Sequence, residues 1–295
     1  MDIKKRESLD WFFKQAFKAT GLLTICMLGG IFLMLLYNSI AFAMDIKPVD
    51  FFTGYQWNPG NANGKYSILP LLVSTGLVAA GSMIIAVPLG IFTAAFLSEF
   101  APPKLQAVLK PVIEMLAAIP SVAIGFLGIV LVGPGIAKLF GIQNGLNALN
   151  GSILLAVMAL PTIITISEDA INAVPKSYRE ASLALGADKW TTLFKVTIPA
   201  AYPGLIAAVM LGLGRALGET MTVLMATGNA AAMPRGFLDS IRTITATVAI
   251  EMGEVPYRTT HYFALFAIAA VLFLITLSIN LLGEYFANRL RKFQA

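Results

Sequence analysis

The 295-residue chain has one cysteine, one histidine and few charges, with Asp, Glu, Lys and Arg together making up 13%. Cys26 alone closes no internal disulfide, so no covalent framework fixes the fold. The single histidine, His261, excludes a zinc site built on histidines and offers a proton relay only one imidazole. A phosphate-binding loop is also missing. Gly60 to Lys65 has three residues between its glycines where four are needed, and Tyr66 stands where Ser or Thr would hold magnesium. The chain is therefore expected to hydrolyse no ATP and to need no cofactor or metal.

Apolar sequence is in excess. A hydrophobic content of 57% and a mean hydropathy of +0.78 describe a membrane protein rather than a soluble surface. The net charge of +5 is modest and sorts by membrane side, so it calls for no nucleic-acid partner.

Six spans are expected. Ala19 to Met44 carries no charge and follows Lys4, Lys5, Arg6, Lys14 and Lys18. Ala41-Phe42-Ala43 has the form of a signal-peptidase site, but the run is well beyond the ~7 to 15 apolar residues of a secretory core and reads as a retained anchor. Asn58-Pro59-Gly60-Asn61 marks a sharp turn within the polar stretch 45–67. Further spans are predicted at Leu71 to Leu97 with Pro88 inside, at Val112 to Val132 with Glu114 and Pro120, and at Gly151 to Ser167, extending to Ile171. The last two are Ala200 to Ala226 and Tyr262 to Gly283. Prolines inside spans imply helices packed on protein, where neighbours satisfy the freed carbonyls.

Six spans put both termini on one side, which carries fourteen Lys and Arg against six on the other. By the positive-inside rule the termini are cytoplasmic.

The polar segment Glu180 to Pro199 lies on that same side and reads as two short helices. Ser177 and Glu180 have capping-box spacing, Gly186 ends the first helix in a left-handed conformation, and Asp188 caps the second, which Pro199 stops. Tyr178, Ala181 and Leu185 share one face, and Trp190, Leu193 and Phe194 another. With Lys176, Arg179, Lys189 and Lys195 around them, these faces suit either a knob docking in another protein's groove or a hairpin lying on lipid headgroups.

Glu180-Ala181-Ser182, Gly186 and the later Val196-Thr197-Ile198-Pro199 resemble the EAA loop of ATP-binding-cassette importer permeases. The spacing is intact, and Ser182, Val196 and Ile198 depart from the family's Ala, Ile and Leu. The resemblance implies the six-helix type I (MetI-like) permease fold. It also implies a coupling loop, 175–199, in which Glu180, Ala181, Gly186 and Pro199 engage a separate nucleotide-binding subunit.

Arg215 and Glu219 stand one turn apart in the fifth span. Two such charges cost roughly 5 to 7 kcal/mol at mid-bilayer, against about 2.5 to 5 kcal/mol returned by the eight Leu, Ile and Val residues between Gly204 and Ala226. This helix must face protein or water. Gly204, Ala208, Gly212 and Ala216 recur at the spacing that lets helices approach closely. The pair reads either as an i, i+4 ion pair that holds the helix, or as a guanidinium for a crossing anion with Glu219 orienting it.

Arg-Ala-Leu-Gly-Glu is similar to the oxyanion importers of that family. Thr220-Met221 after it, together with YSILPLLVST (66–75), Leu97 to Phe100 and AAIPS (117–121), is similar to the phosphate permeases, and GLGRALGETM (212–221) favours the C subunit of the phosphate-specific system over its A partner. The resemblance implies an inner-membrane permease for inorganic phosphate with Arg215, Gly218, Glu219 and Thr220 on the pathway. Its implied partners are a second permease chain, two ATP-binding subunits, an extracytoplasmic phosphate-binding protein and membrane lipid. It divides the chain into an anchor region 1–70, a core 71–283 and a tail 284–295. Rival readings are a sulfate or molybdate permease, an ion-coupled secondary transporter using Arg215, Glu219 and Glu114, and a signalling scaffold.

Between spans five and six, Asp239 is predicted to cap a helix bearing Ile241, Ile244, Val248 and Met252 on one face. That helix would gate the pathway, meet a solute-binding protein or lie on the membrane surface.

Overall fold

A computed structural model describes residues 3–60 and 64–294, with the backbone alone for residues 3–10, 288 and 290–294. Asn61 and the side chains of Lys4, Lys5, Arg6, Arg291 and Lys292 lie outside the described residues. The chain is mostly helical, and among the described residues six helices are long and apolar enough to cross a membrane.

The first is α1, Ile3–Asp45, which lies along the last helix, α13, Thr260–Gln294, with Phe32 and Phe273 rings 5.6 Å apart. None of its most apolar stretch is buried, so that stretch contributes lipid- or partner-facing surface, and Phe42 near the end of the helix is buried in a core cluster with Phe51 and Trp57. A short helix α2, Pro48–Thr53, follows, and then strands β1, Trp57–Asn58, and β2, Lys65–Tyr66, which pair antiparallel with each other and lead into α3, Leu69–Glu99.

The central layer is α3 against α7, Ala148–Asn172, with α10, Ile198–Gly218, packed on α7 and touching α3 as well. Small residues bring them together. Gly204 faces Ala170, a Cβ on Gly212 would come within 2.7 Å of Ile163 Cγ1, and Ala208 and Ala216 are buried. The spacing expected to permit close approach does so, and dispersion contacts replace the hydrophobic drive that lipid does not supply.

The third span departs from expectation. Pro103–Ala117 is a separate helix, α4, and the membrane helix begins beyond Pro120, comprising α5 (Ser121–Leu127), a π-helical turn (Gly128–Val132) and α6 (Gly133–Phe140). Proline disfavours helical conformation in the residue before it, and Pro120 itself is extended, with φ −59° and ψ 135°. Glu114 therefore lies on α4, outside the span.

Pro199 does not stop its helix either. α9, Lys189–Thr192, runs through a π-turn, Leu193–Thr197, straight into α10. Both π-turns end two residues before a proline, and the amide just before that proline, Ile198 or Gly133, reaches back five residues to Leu193 or Gly128. A proline inside an α-helix orphans the carbonyl four residues back, and the wider turn accommodates that loss without a break.

Candidate functional site

The cytoplasm-facing hairpin predicted from Glu180 to Pro199 is present, with different ends. Its first helix, α8, Lys176–Ala184, starts after Pro175 with no side-chain cap, so Ser177 falls inside the first turn and the capping box does not form. Gly186 takes φ +85°, with its amide on Leu183 O and the Ala187 amide on Ser182 O, which closes a Schellman motif. Asp188 accepts from the Trp190 and Thr191 amides as expected. Hydrogen bonds from the Thr191 side chain and then from the backbone hold its carboxyl below the usual range.

The hairpin is tied to the end of α3. Arg179 Nε lies 2.8 Å from Glu99 Oε1, Arg179 Nη2 donates to Ile171 O at 2.7 Å, and Trp190 stacks on Phe100 with ring centres 4.5 Å apart. Ser98 donates to Asn172 Oδ1 at 2.6 Å. Leu97 to Phe100, singled out only by resemblance, is thus the seat of the hairpin. Leu193 is buried there, whereas Glu180, Ala181, Tyr178 and Trp190 are exposed and Leu185 is 91% exposed. Pro199 is half-buried at the start of α10.

The second place is a break in the fifth span. The helix ends at Gly218, Glu219 is extended with φ −70° and ψ 134°, and α11, Met221–Ala226, starts after Thr220. The continuous span expected over Ala200 to Ala226 is therefore two helices. An i, i+4 ion pair needs helical backbone between its members, and among the described residues Arg215 and Glu219 form none. Glu219 Oε1 instead accepts from the Thr222 amide at 3.3 Å and lies 3.3 Å from the Thr222 hydroxyl, in the manner of an N-cap. That hydroxyl is also 3.1 Å from Ser121 O and from Met158 Sδ.

The depth of the break follows from these contacts. Gly212 meets Ile163 and Thr222 meets Met158, and these two residues flank the centre of α7. Arg215 and Glu219, between Gly212 and Thr222, are level with the middle of the helical layer. Leu211, Arg215 and Gly218 form an exposed stripe, continued by Met221, while Glu219 and Thr220 are half-buried beside it.

A helix on the far side reaches this break. α12, Ile244–Glu251, is capped by Thr243, whose hydroxyl accepts from the Ala246 amide at 3.2 Å. Asp239, the predicted cap, instead accepts from the Arg235 and Gly236 amides, closing a tight turn. Thr245 Oγ1 donates to Glu219 O at 2.7 Å, and the Ile244 amide donates to Thr75 Oγ1 at 3.0 Å. At the other end Glu251 gathers Arg242 Nη1 at 2.9 Å, His261 Nε2 at 2.8 Å and Trp57 Nε1 at 3.1 Å. Tyr66 packs against both the Trp57 and His261 rings, and burial, with the Glu251 charge second, raises its hydroxyl pKa. This polar cluster carried no local sequence signal, since its members come from three separate stretches.

Residues 86–292 match the family described as binding-protein-dependent transport system inner membrane component. The chain is 41% identical over 244 residues to a probable ABC transporter permease protein, YqgH, of Bacillus subtilis, covering 83% of this chain and 79% of that one. It is 34% identical over 286 residues to the phosphate transport system permease protein PstC 1 of Mycobacterium tuberculosis, covering 85% of each. Among solved structures it resembles a chain of a bacterial alginate ABC transporter, with TM-score 0.63, 14% identity and 97% of each chain covered. It also resembles a chain of the inward-facing MetNI methionine ABC transporter, with TM-score 0.58, 19% identity, and 76% of this chain and 97% of that one covered. The fold is the MetI-type permease fold, the six apolar helices make it a multi-pass cell-membrane protein, and the chain belongs to the family of binding-protein-dependent transport system inner membrane components, the permease subunits of ABC transporters.

Proposed function

We propose that this permease conducts inorganic phosphate inward through a pathway that Arg215 and Glu219 line. The observation that carries the reading is Arg215 itself. It is exposed and without an ion-pair partner among the described residues, in the last turn of α10 and level with the middle of the helical layer. A charge in that position costs about 2.5 to 3.5 kcal/mol against lipid, so its stripe faces water and a second permease chain. A guanidinium offers several donors in a planar fork, which matches a tetrahedral oxyanion. Gly218 and Thr220 border the same stripe. Phosphate as the anion is supported by the identity to phosphate transport permeases and by GLGRALGETM.

The assembly proposed is two permease chains, two ATP-binding subunits and an extracytoplasmic phosphate-binding protein, with the termini and hairpin cytoplasmic, as fourteen Lys and Arg against six support. The core is 71–283, preceded by the anchor region 1–70 and followed by the tail 284–295. Glu180, Ala181, Gly186 and Pro199 belong to the hairpin that meets an ATPase. ATP-driven closure of the ATPases moves the hairpin, and Arg179-Glu99 and Trp190-Phe100 carry that motion to the end of α3. The pathway then alternates between outward- and inward-open states.

Labelled-phosphate uptake into vesicles holding the whole complex tests this, with sulfate and molybdate as competitors and ATP supplied inside or omitted. ATP-dependent uptake that excess sulfate leaves untouched is expected. Uptake that continues without ATP and follows a proton gradient would overturn the proposal in favour of a secondary transporter.

A further inference from the structure

We propose that Glu219 selects the transported anion by the proton it carries, accepting a hydrogen bond from an oxyanion that still bears an O–H group. This rests on the reading that the anion passes Arg215. A guanidinium only donates, so Arg215 alone treats phosphate, arsenate and sulfate as similar tetrahedra of acceptors. Telling them apart needs an acceptor at the same place, and the break in the fifth span supplies one.

Three features of Glu219 fit it for that role. Its carboxylate is not consumed by Arg215, because the backbone leaves the helix between them. One oxygen, Oε1, is fixed by the Thr222 amide at 3.3 Å, which orients the group, while Oε2 has no partner among the described residues. The approach is open: Glu219 is half-buried beside exposed Gly218, where an added Cβ would meet nothing within 4 Å. Thr245 holds the Glu219 carbonyl at 2.7 Å, which pins the backbone of a half-buried residue that directly follows exposed Gly218 and stands one turn beyond Arg215.

A carboxylate accepts and does not donate. Phosphate near neutral pH has one or two O–H groups, and one of these can point at Oε2 while the remaining oxygens face Arg215. Sulfate has none, so its oxygens would face the carboxylate, a repulsive like-charge contact. The class accepted is tetrahedral oxyanions with at least one O–H, arsenate included.

Equilibrium binding to the detergent-solubilised membrane complex, without the binding protein whose own pocket would impose a choice, tests this. The probes are labelled inorganic phosphate and labelled sulfate, with unlabelled dimethyl phosphate, an anion without O–H, as competitor. Wild-type complex is expected to prefer phosphate by about tenfold or more, and dimethyl phosphate is expected not to displace it, since sites built to bond a hydroxyl reject analogues that lack one. Glu219→Gln, which can also donate, is expected to bring the two ions to within about threefold of each other, and Glu219→Asp to keep much of the preference. Equal binding of both ions by wild type, displacement by dimethyl phosphate, or an unchanged preference in Glu219→Gln would each overturn the role of Glu219. Binding of neither ion would overturn the Arg215 pathway, and this inference with it.

Discussion

Arg179 of the hairpin and Glu99 at the end of α3 lie 2.8 Å apart, each about four-fifths buried, and the pair joins the hairpin proposed to meet an ATPase to the helix that packs along the membrane core. A partly buried ion pair that keeps its geometry is a stiff connection. Removing one member leaves the other charge without its partner in a poorly solvated place.

Glu99→Gln and Arg179→Ala are therefore each expected to lower ATP-driven uptake and to weaken ATPase association, by about tenfold or less given that water still reaches both groups. A double-mutant cycle checks the coupling. If the two effects simply add, the pair transmits nothing and the hairpin is held by Trp190 against Phe100 and by buried Leu193.

Gly186 makes a second, purely conformational prediction. Its φ of +85° is strained for any residue with a Cβ, yet a Cβ there would meet nothing within 4 Å. Gly186→Val is thus expected to cost about 1 to 2 kcal/mol of local backbone energy, deform the hairpin and depress uptake, while Gly186→Asn does so less. Membrane insertion and the thermal melting of the core are expected to be unchanged, which a melting curve in detergent measures.

Much of this was legible beforehand because membrane spans and turn chemistry are local signals. Apolar run length fixes the number of spans, Gly186 and Asp188 announce their caps, and the recurrence of Gly204, Ala208, Gly212 and Ala216 announces a packed face. What the sequence hid is decided by backbone geometry between residues. The i, i+4 spacing of Arg215 and Glu219 suggests an ion pair only if the helix continues, and Glu219 chooses Thr222 instead. Thr222 three positions on was the available clue. Pro120 split the third span and Pro199 did not end the fifth, because a π-turn precedes Pro199 and none precedes Pro120. The cluster around Glu251 includes Trp57, 194 positions away from it, beyond any local pattern.

Tyr66 gives a pH prediction whose sign follows from its raised pKa. The folded state keeps the phenol protonated to higher pH than the unfolded chain does, because burial, and then the Glu251 charge, disfavour the phenolate. This stabilisation is complete below about pH 10, the unfolded value, and is lost as pH rises through the folded one. Tyr66→Phe is expected to remove that portion of the alkaline loss. Melting temperatures of the two proteins from pH 9 to 11.5 are the check, and parallel curves would exclude the effect.

Arg215 separates a transport role from a structural one. An arginine that held its own chain together would show partners within it, and among the described residues this one has no ion pair and is exposed. Arg215→Ala should then leave insertion, ATPase association and basal ATP hydrolysis in place. Uptake should fall by tenfold or more, the size expected from losing a charged hydrogen bond of about 1.5 to 3 kcal/mol. Arg215→Lys keeps the charge but not the planar fork, so an intermediate rate is expected. Size-exclusion profiles and uptake measured on the same preparations decide the matter. A complex that dissociates on Arg215→Ala would make the residue an interface strut, while an assembled complex that no longer moves phosphate would leave the anion as the partner its guanidinium lacks.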